Sequence, residues 1–179
     1  MSTLGRDLLN LTVTSVSPDG TVRVRLVKRG FTIELRQGAM RGHDEHSLAD
    51  AIEAALNNAL AGYGSKRQRI THRHLGFIPT VEKPDPVHDP IGYRIAELTG
   101  EVTAMAKSPR GLVKVQVTGQ PPRFAVRLRP RSIGPLDVTA ERLESEVNAA
   151  VNQAHREFSR LRRAIRDDVT HDRGVAHVS

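Results

Sequence analysis

The chain has 179 residues with 27 Lys and Arg against 20 Asp and Glu, a net charge of +7 that favours a polyanionic partner such as nucleic acid or an acidic membrane surface. The absence of Cys excludes disulfide scaffolds, thiolate zinc sites, iron–sulfur clusters and cysteine nucleophiles. No apolar run approaches the roughly 18 residues of a membrane span, and Met1 to Asn10 lacks the basic-then-apolar build of a signal peptide, so a cytoplasmic, non-membrane protein is expected.

Leu11, Val13 and Val16 predict a first strand, which Pro18-Asp19-Gly20 turns. Val22, Val24 and Leu26 then alternate with Thr21, Arg23 and Arg25, the period of a half-buried strand with one basic face. Gly30 punctuates, and Phe31, Ile33 and Leu35 predict a third strand. A polar connection from Gly38 to His46 leads to a helix for which Ser47 is the expected cap. Its apolar stripe is Leu48, Ile52, Ala55, Leu56, Ala59 and Leu60, and Gly62 and Gly64 are expected to stop or bend it.

Pro79, Pro84, Pro86 and Pro90 lie among charged residues and predict an extended linker, followed by a short helix over Gly92 to Thr99. The grammar then returns. Ser17-Pro18-Asp19-Gly20 recurs 91 residues later as Ser108-Pro109-Arg110-Gly111, and Phe31-Thr32-Ile33-Glu34-Leu35-Arg36 recurs 93 residues later as Phe124-Ala125-Val126-Arg127-Leu128-Arg129. The helical stretch Leu48 to Ala59 aligns 95 residues later with Leu143 to Ala154, and Tyr63 falls on Phe158. Strands are thus predicted over 101–106, 112–118 and 123–129, then a helix opened by Thr139 with Glu141 in its first turn. Its stripe runs Leu143, Val147, Ala150, Val151, Ala154, Phe158, Leu161 and Ile165, and residues 171–179 are expected to be a flexible tail.

The expected fold class is therefore α+β: two tandem repeats, 1–78 and 93–170, joined by a Pro-rich linker over 79–92. Each repeat is a three-stranded antiparallel sheet with a long packed helix, and the two are expected to pair within the chain as a pseudo-dimer.

The second copy resembles the YbaB/EbfC nucleoid-associated proteins. The glycine-opened strand from Gly111 to Gly119 and the helix Glu146-Val147-Asn148-Ala149-Ala150-Val151-Asn152-Gln153-Ala154 carry the resemblance, over roughly residues 93 to 166. In the first copy Thr21-Val22-Arg23-Val24 and Ala54-Ala55-Leu56-Asn57 fit, but there is no room before Leu11 for the family's long N-terminal helix. The resemblance implies a small α/β fold that dimerises and binds DNA with weak sequence preference, without catalysis. YbaB-like folds also occur in actinobacterial proteins tied to specialised secretion.

Four basic clusters fit phosphate contacts, which need cations spread along a surface and no base reading. They are Arg23, Arg25, Lys28 and Arg29; Lys66, Arg67, Arg69 and Arg73; Arg123, Arg127, Arg129 and Arg131; and Arg156, Arg160, Arg162, Arg163 and Arg166. Any one cluster taken alone is better explained by the solvated face of a strand or by a helix C-terminus. Their recurrence at matching places favours DNA. The expected contacts are Arg23, Arg25, Lys66, Arg67, Arg69, Arg127, Arg129, Arg156, Arg160, Arg162 and Arg163.

Phe31, Phe124, Tyr63 and Phe158 fall on apolar stripes and are expected in the core, not on a base-stacking platform. His43, His46, His72 and His74 are expected on the surface, with no metal or other cofactor. No nucleophile elbow, phosphate loop or carboxylate pair is visible, so no enzyme is expected. Two functions are weighed: a nucleoid-associated protein binding double-stranded DNA with little sequence specificity, and a protein interaction module of a secretion-linked or regulatory assembly.

Overall fold

The computed structural model describes residues 3–28, 30–76, 84–134 and 138–175. The chain forms two antiparallel three-stranded sheets, each with strands in sequence order. The first unit holds helix α1 (Thr3–Leu9), strands β1 (Thr12–Val16), β2 (Val22–Val27) and β3 (Gly30–Leu35), a short α2 (Ala39–Gly42) and the 31-residue α3 (Glu45–Leu75). The second holds α4 (Pro90–Gly100), β4 (Thr103–Lys107), β5 (Val113–Thr118), β6 (Arg123–Leu128) and the 36-residue α5 (Ala140–Val175).

Both β-turns are built alike. The Ser17 hydroxyl accepts from the amide of Val22 at 2.9 Å, and the Ser108 hydroxyl from that of Val113 at 3.0 Å. Gly20 (φ 76°) and Gly111 (φ 68°) take the left-handed conformation that closes each turn, one that a side chain opposes. The strands alternate as expected: Val22, Val24 and Leu26 on β2, and Val113, Val115 and Val117 on β5, are buried beneath the long helices. Burying each such side chain contributes about 1.5–3 kcal/mol.

Three expectations about helix ends are corrected. Asp44, not Ser47, is the N-cap of α3: its carboxylate accepts from the Ser47 amide at 2.7 Å while the Ser47 hydroxyl accepts from the Asp44 amide at 3.1 Å. Helix α3 continues through Gly62 and Gly64 to Leu75, where Gly76 (φ 74°) ends it. A side chain at Gly62 would press on Val13 at 3.1 Å, so this glycine lets strand and helix approach instead of breaking the helix. The residues 171–175, expected in a flexible tail, are the last turn of α5, and 176–179 lie outside the described residues. The linker expected over 79–92 lies outside them up to residue 83. Pro90 occupies the first turn of α4, where its missing N–H is not needed, and Asp89 caps that helix through the Gly92 amide at 2.8 Å.

The units are interlocked. Helix α3 packs on β1 and β2 of its own sheet and on β6 of the other, while α5 packs on β4, β5 and β3. Side chains of each helix bond the open edge of the other unit's third strand. Asn152 accepts from the Phe31 amide at 2.9 Å and donates to its carbonyl at 2.8 Å, Asn148 does the same for Ile33 at 2.8 and 2.7 Å, and Glu144 accepts from Leu35 at 2.8 Å. On the other side Asn57 bonds the amide and carbonyl of Phe124 at 2.9 and 3.1 Å, and Glu53 accepts from Val126 at 3.2 Å. The match is geometric: four helical residues advance about 6 Å and two strand residues about 6.7 Å, so a polar side chain every fourth residue meets every second strand residue. The rings of Phe31 and Phe124 meet edge to face at 5.1 Å where the units join.

Candidate nucleic-acid interface

The long helices outrun their sheets. A 31-residue helix spans about 45 Å and a six-residue strand about 20 Å, so the far ends have no sheet to cover. Buried positions accordingly stop at Ala59 on α3 and at Phe158 on α5. Beyond them the exposed stretches carry the cations Lys66, Arg67, Arg69 and Arg73, and Arg160, Arg162, Arg163 and Arg166.

Four of these cations meet. Arg67 of α3 and Arg162, Arg163 and Arg166 of α5 line one open cleft of about 370 Å³, with Pro122, His155, Phe158 and Ser159 completing it. Among the described residues no carboxylate lines this cleft, although Asp167 and Asp168 are close in sequence. Among the described residues, Arg67, Arg163 and Arg166 make no ion pair. Arg162 is the fixed member: its guanidinium lies 5.6 Å from the centre of the Phe158 ring and donates to the Gln120 side-chain oxygen at 3.2 Å. Burial first, and then Arg166, push its pKa below the usual guanidinium value, yet it stays charged at neutral pH. Burial, reinforced by Arg156, also lowers the pKa of His155, which stays neutral at pH 7 with its ring edge-on to Phe31 at 5.2 Å.

The other expected contacts are dispersed. Arg156 and Arg160 lie on a different side of α5, beside Met105, and Arg160 is held by Glu157 through two bonds of 2.6 and 2.9 Å. Lys66, Arg69 and Arg73 face the α1 side of α3, where the Lys66 ammonium donates to the Thr12 carbonyl at 3.0 Å. Arg23 and Arg25 project from the outer face of the first sheet, and Arg23 pairs with Glu34 at 3.6 Å. Arg127 projects from the outer face of the second sheet, and Arg129 is exposed just beyond β6.

The register adds cations not expected from the clusters. Lys107, Lys114 and Arg127 are cross-strand neighbours and all exposed, forming a basic row across the second sheet. Alternation alone marks Lys114 as outward-facing, but only the pairing places it between Lys107 and Arg127.

The histidines act locally. His43, expected on the surface, has a side chain only 11% exposed, because it links the β1–β2 turn to the start of α3. Its Nε2 lies 2.8 Å from Asp19 and its Nδ1 lies 3.1 Å from the Ser47 hydroxyl. His74 joins α3 to α1 through Asp7 at 2.8 Å. Phe31, Phe124 and Phe158 are buried as expected, and Tyr63 is partly buried. Among the described residues no group of three or more His, Asp or Glu side chains is placed to hold a metal ion, and no helix is long and apolar enough to cross a membrane.

Residues 94–172 match the model of the YbaB/EbfC DNA-binding family, a span that takes in most of α4, the second sheet and most of α5. Residues 1–93 lie outside this match. No curated protein and no solved structure matches the chain.

Proposed function

We propose that the chain is a non-enzymatic, nucleoid-associated protein of the cytoplasm that binds double-stranded DNA through its phosphates and with little sequence preference. The observation that carries this reading is the meeting of Arg67 with Arg162, Arg163 and Arg166 in a cleft that no carboxylate lines among the described residues. Bringing four like charges together is unfavourable unless an anion compensates them. The family match over 94–172 points to DNA as that anion. The exposed row of Lys107, Lys114 and Arg127 on the second sheet adds further cations that phosphates could contact. The cations invoked lie along helix sides and sheet faces, and on this reading affinity comes from phosphates.

We further propose that the first unit, 1–78, is a diverged second copy and that the chain is a covalent pseudo-dimer. The matching strand order, the matching Ser17 and Ser108 turns and the reciprocal contacts of Asn57 and Asn152 support this reading.

The test is binding to a fluorescent random-sequence duplex over a range of salt. Log affinity falling linearly with log salt, with a shallower slope for Arg67→Ala and Arg163→Ala combined, is the expected result. Absence of binding at low salt would overturn the reading and favour a protein partner.

A further inference from the structure

The arginine cleft, of about 370 Å³, offers room for a short chain of linked phosphates as well as for the backbone phosphates of a duplex. A chain of linked phosphates packs several negative charges into that volume, against four lining arginines. The lining also suits such an anion. Arg162 is held in place by Phe158 and Gln120, so it offers its remaining N–H groups without losing much side-chain freedom. Arg67, Arg163 and Arg166 have no competing carboxylate among the described residues, and the Ser159 side chain adds a hydroxyl donor. Because Arg67 comes from one unit and the other three from the second, the site exists only when the two units are joined.

We infer that this cleft binds a compact polyphosphate anion, the chemistry shared by nucleoside triphosphates and inorganic polyphosphate, and that its occupation competes with DNA. The binding stands on the cleft alone; the competition rests on the DNA reading above.

Calorimetric titration of the full chain with tripolyphosphate, ATP and orthophosphate, at about 150 mM salt where long-range attraction is screened, tests it. Tripolyphosphate is expected to bind far more tightly than orthophosphate. Arg67→Gln and Arg163→Gln are each expected to weaken it about tenfold, the effect of losing a charge-assisted hydrogen bond, while Arg25→Gln on the outer sheet face leaves it unchanged. Equal affinity for ATP and tripolyphosphate assigns the site to the phosphate chain, and tighter ATP binding assigns it to nucleotides. These substituted arginines are exposed and bear no core packing, and circular dichroism of each variant verifies the fold.

No binding of tripolyphosphate, or binding that Arg25→Gln weakens as much as Arg67→Gln, would overturn the site. In a parallel assay tripolyphosphate is expected to release bound duplex. A duplex that stays bound while tripolyphosphate fills the cleft would overturn the competition and the cleft's part in DNA binding, and would shift the DNA contacts to other cations such as Lys107, Lys114 and Arg127. Tripolyphosphate binding by a protein that binds no duplex would overturn the DNA reading and keep the site.

Discussion

Asn152 replaces a missing neighbour strand for Phe31: its side-chain amide accepts from the Phe31 N–H and donates to the Phe31 C=O, from a position 121 residues away. Asn57 does the same for Phe124 in the opposite sense. An open sheet edge is a site of unwanted pairing, and here each third strand is closed by the helix of the other unit. The contact therefore serves stability and also fixes the relative placement of the two units, on which the arginine cleft depends.

Replacing Asn152 or Asn57 with Ala is expected to destabilise the fold by about 1–3 kcal/mol for each backbone group left unpaired away from water. Urea unfolding followed by circular dichroism measures this. Equal losses at the two positions are expected from the reciprocal geometry, and a loss of only a few tenths at either would show that water replaces the amide freely.

The glycines of the third-strand start and of the turns separate two effects. Gly111→Ala meets no neighbour and is expected to lose about 1–2 kcal/mol from its left-handed backbone alone. Gly30→Ala places a methyl group against the Asn152 carboxamide oxygen and is expected to lose more, because it displaces the pair of bonds to Phe31. Thermal unfolding midpoints of the two variants rank them.

Asp19 makes the fold acid-sensitive in a defined window. Its pKa is lowered to about 2, first by the Ser17 hydroxyl and then by the amide and hydroxyl of Thr21 and by His43. A depressed folded-state pKa gives stability that is fully present above the unfolded value near 3.8 and is lost as pH falls towards 2. The side chain is 38% exposed, so solvent screening keeps the effect small. Asp19→Asn is expected to be less stable than the wild type at pH 5 and nearly equal to it at pH 2. A constant difference across that range would sink the linkage.

The two faces of α5 are expected to differ in DNA binding. Arg160 is already paired with Glu157, so Arg160→Ala is expected to leave the salt slope nearly unchanged, while Arg163→Ala reduces it by about 1. Fluorescence anisotropy over a salt series resolves the two. Equal effects would mean that α5 contacts phosphate along its whole circumference.

The sequence by itself determined the local elements, because periods of two and of three to four residues state which face of a segment is apolar. Val22, Val24 and Leu26 define β2, and Leu143, Val147, Ala150 and Val151 define the buried face of α5. The turns at Gly20 and Gly111 were equally legible, since a left-handed position closing a serine-led turn is a local requirement. The end of α3 was not: Gly62 resembles a helix stop until Val13 is seen against it. Only the tertiary structure decided which arginines act together. Arg162 and Arg160 are two residues apart, yet one stacks on Phe158 in the cleft and the other is neutralised by Glu157 beside Met105. Tertiary structure likewise assigned Asn57, Asn148 and Asn152 to the strand edges. Period fixes the direction in which a side chain leaves its own helix, but the group it meets there is set by a segment some hundred residues away, and no local pattern encodes that meeting.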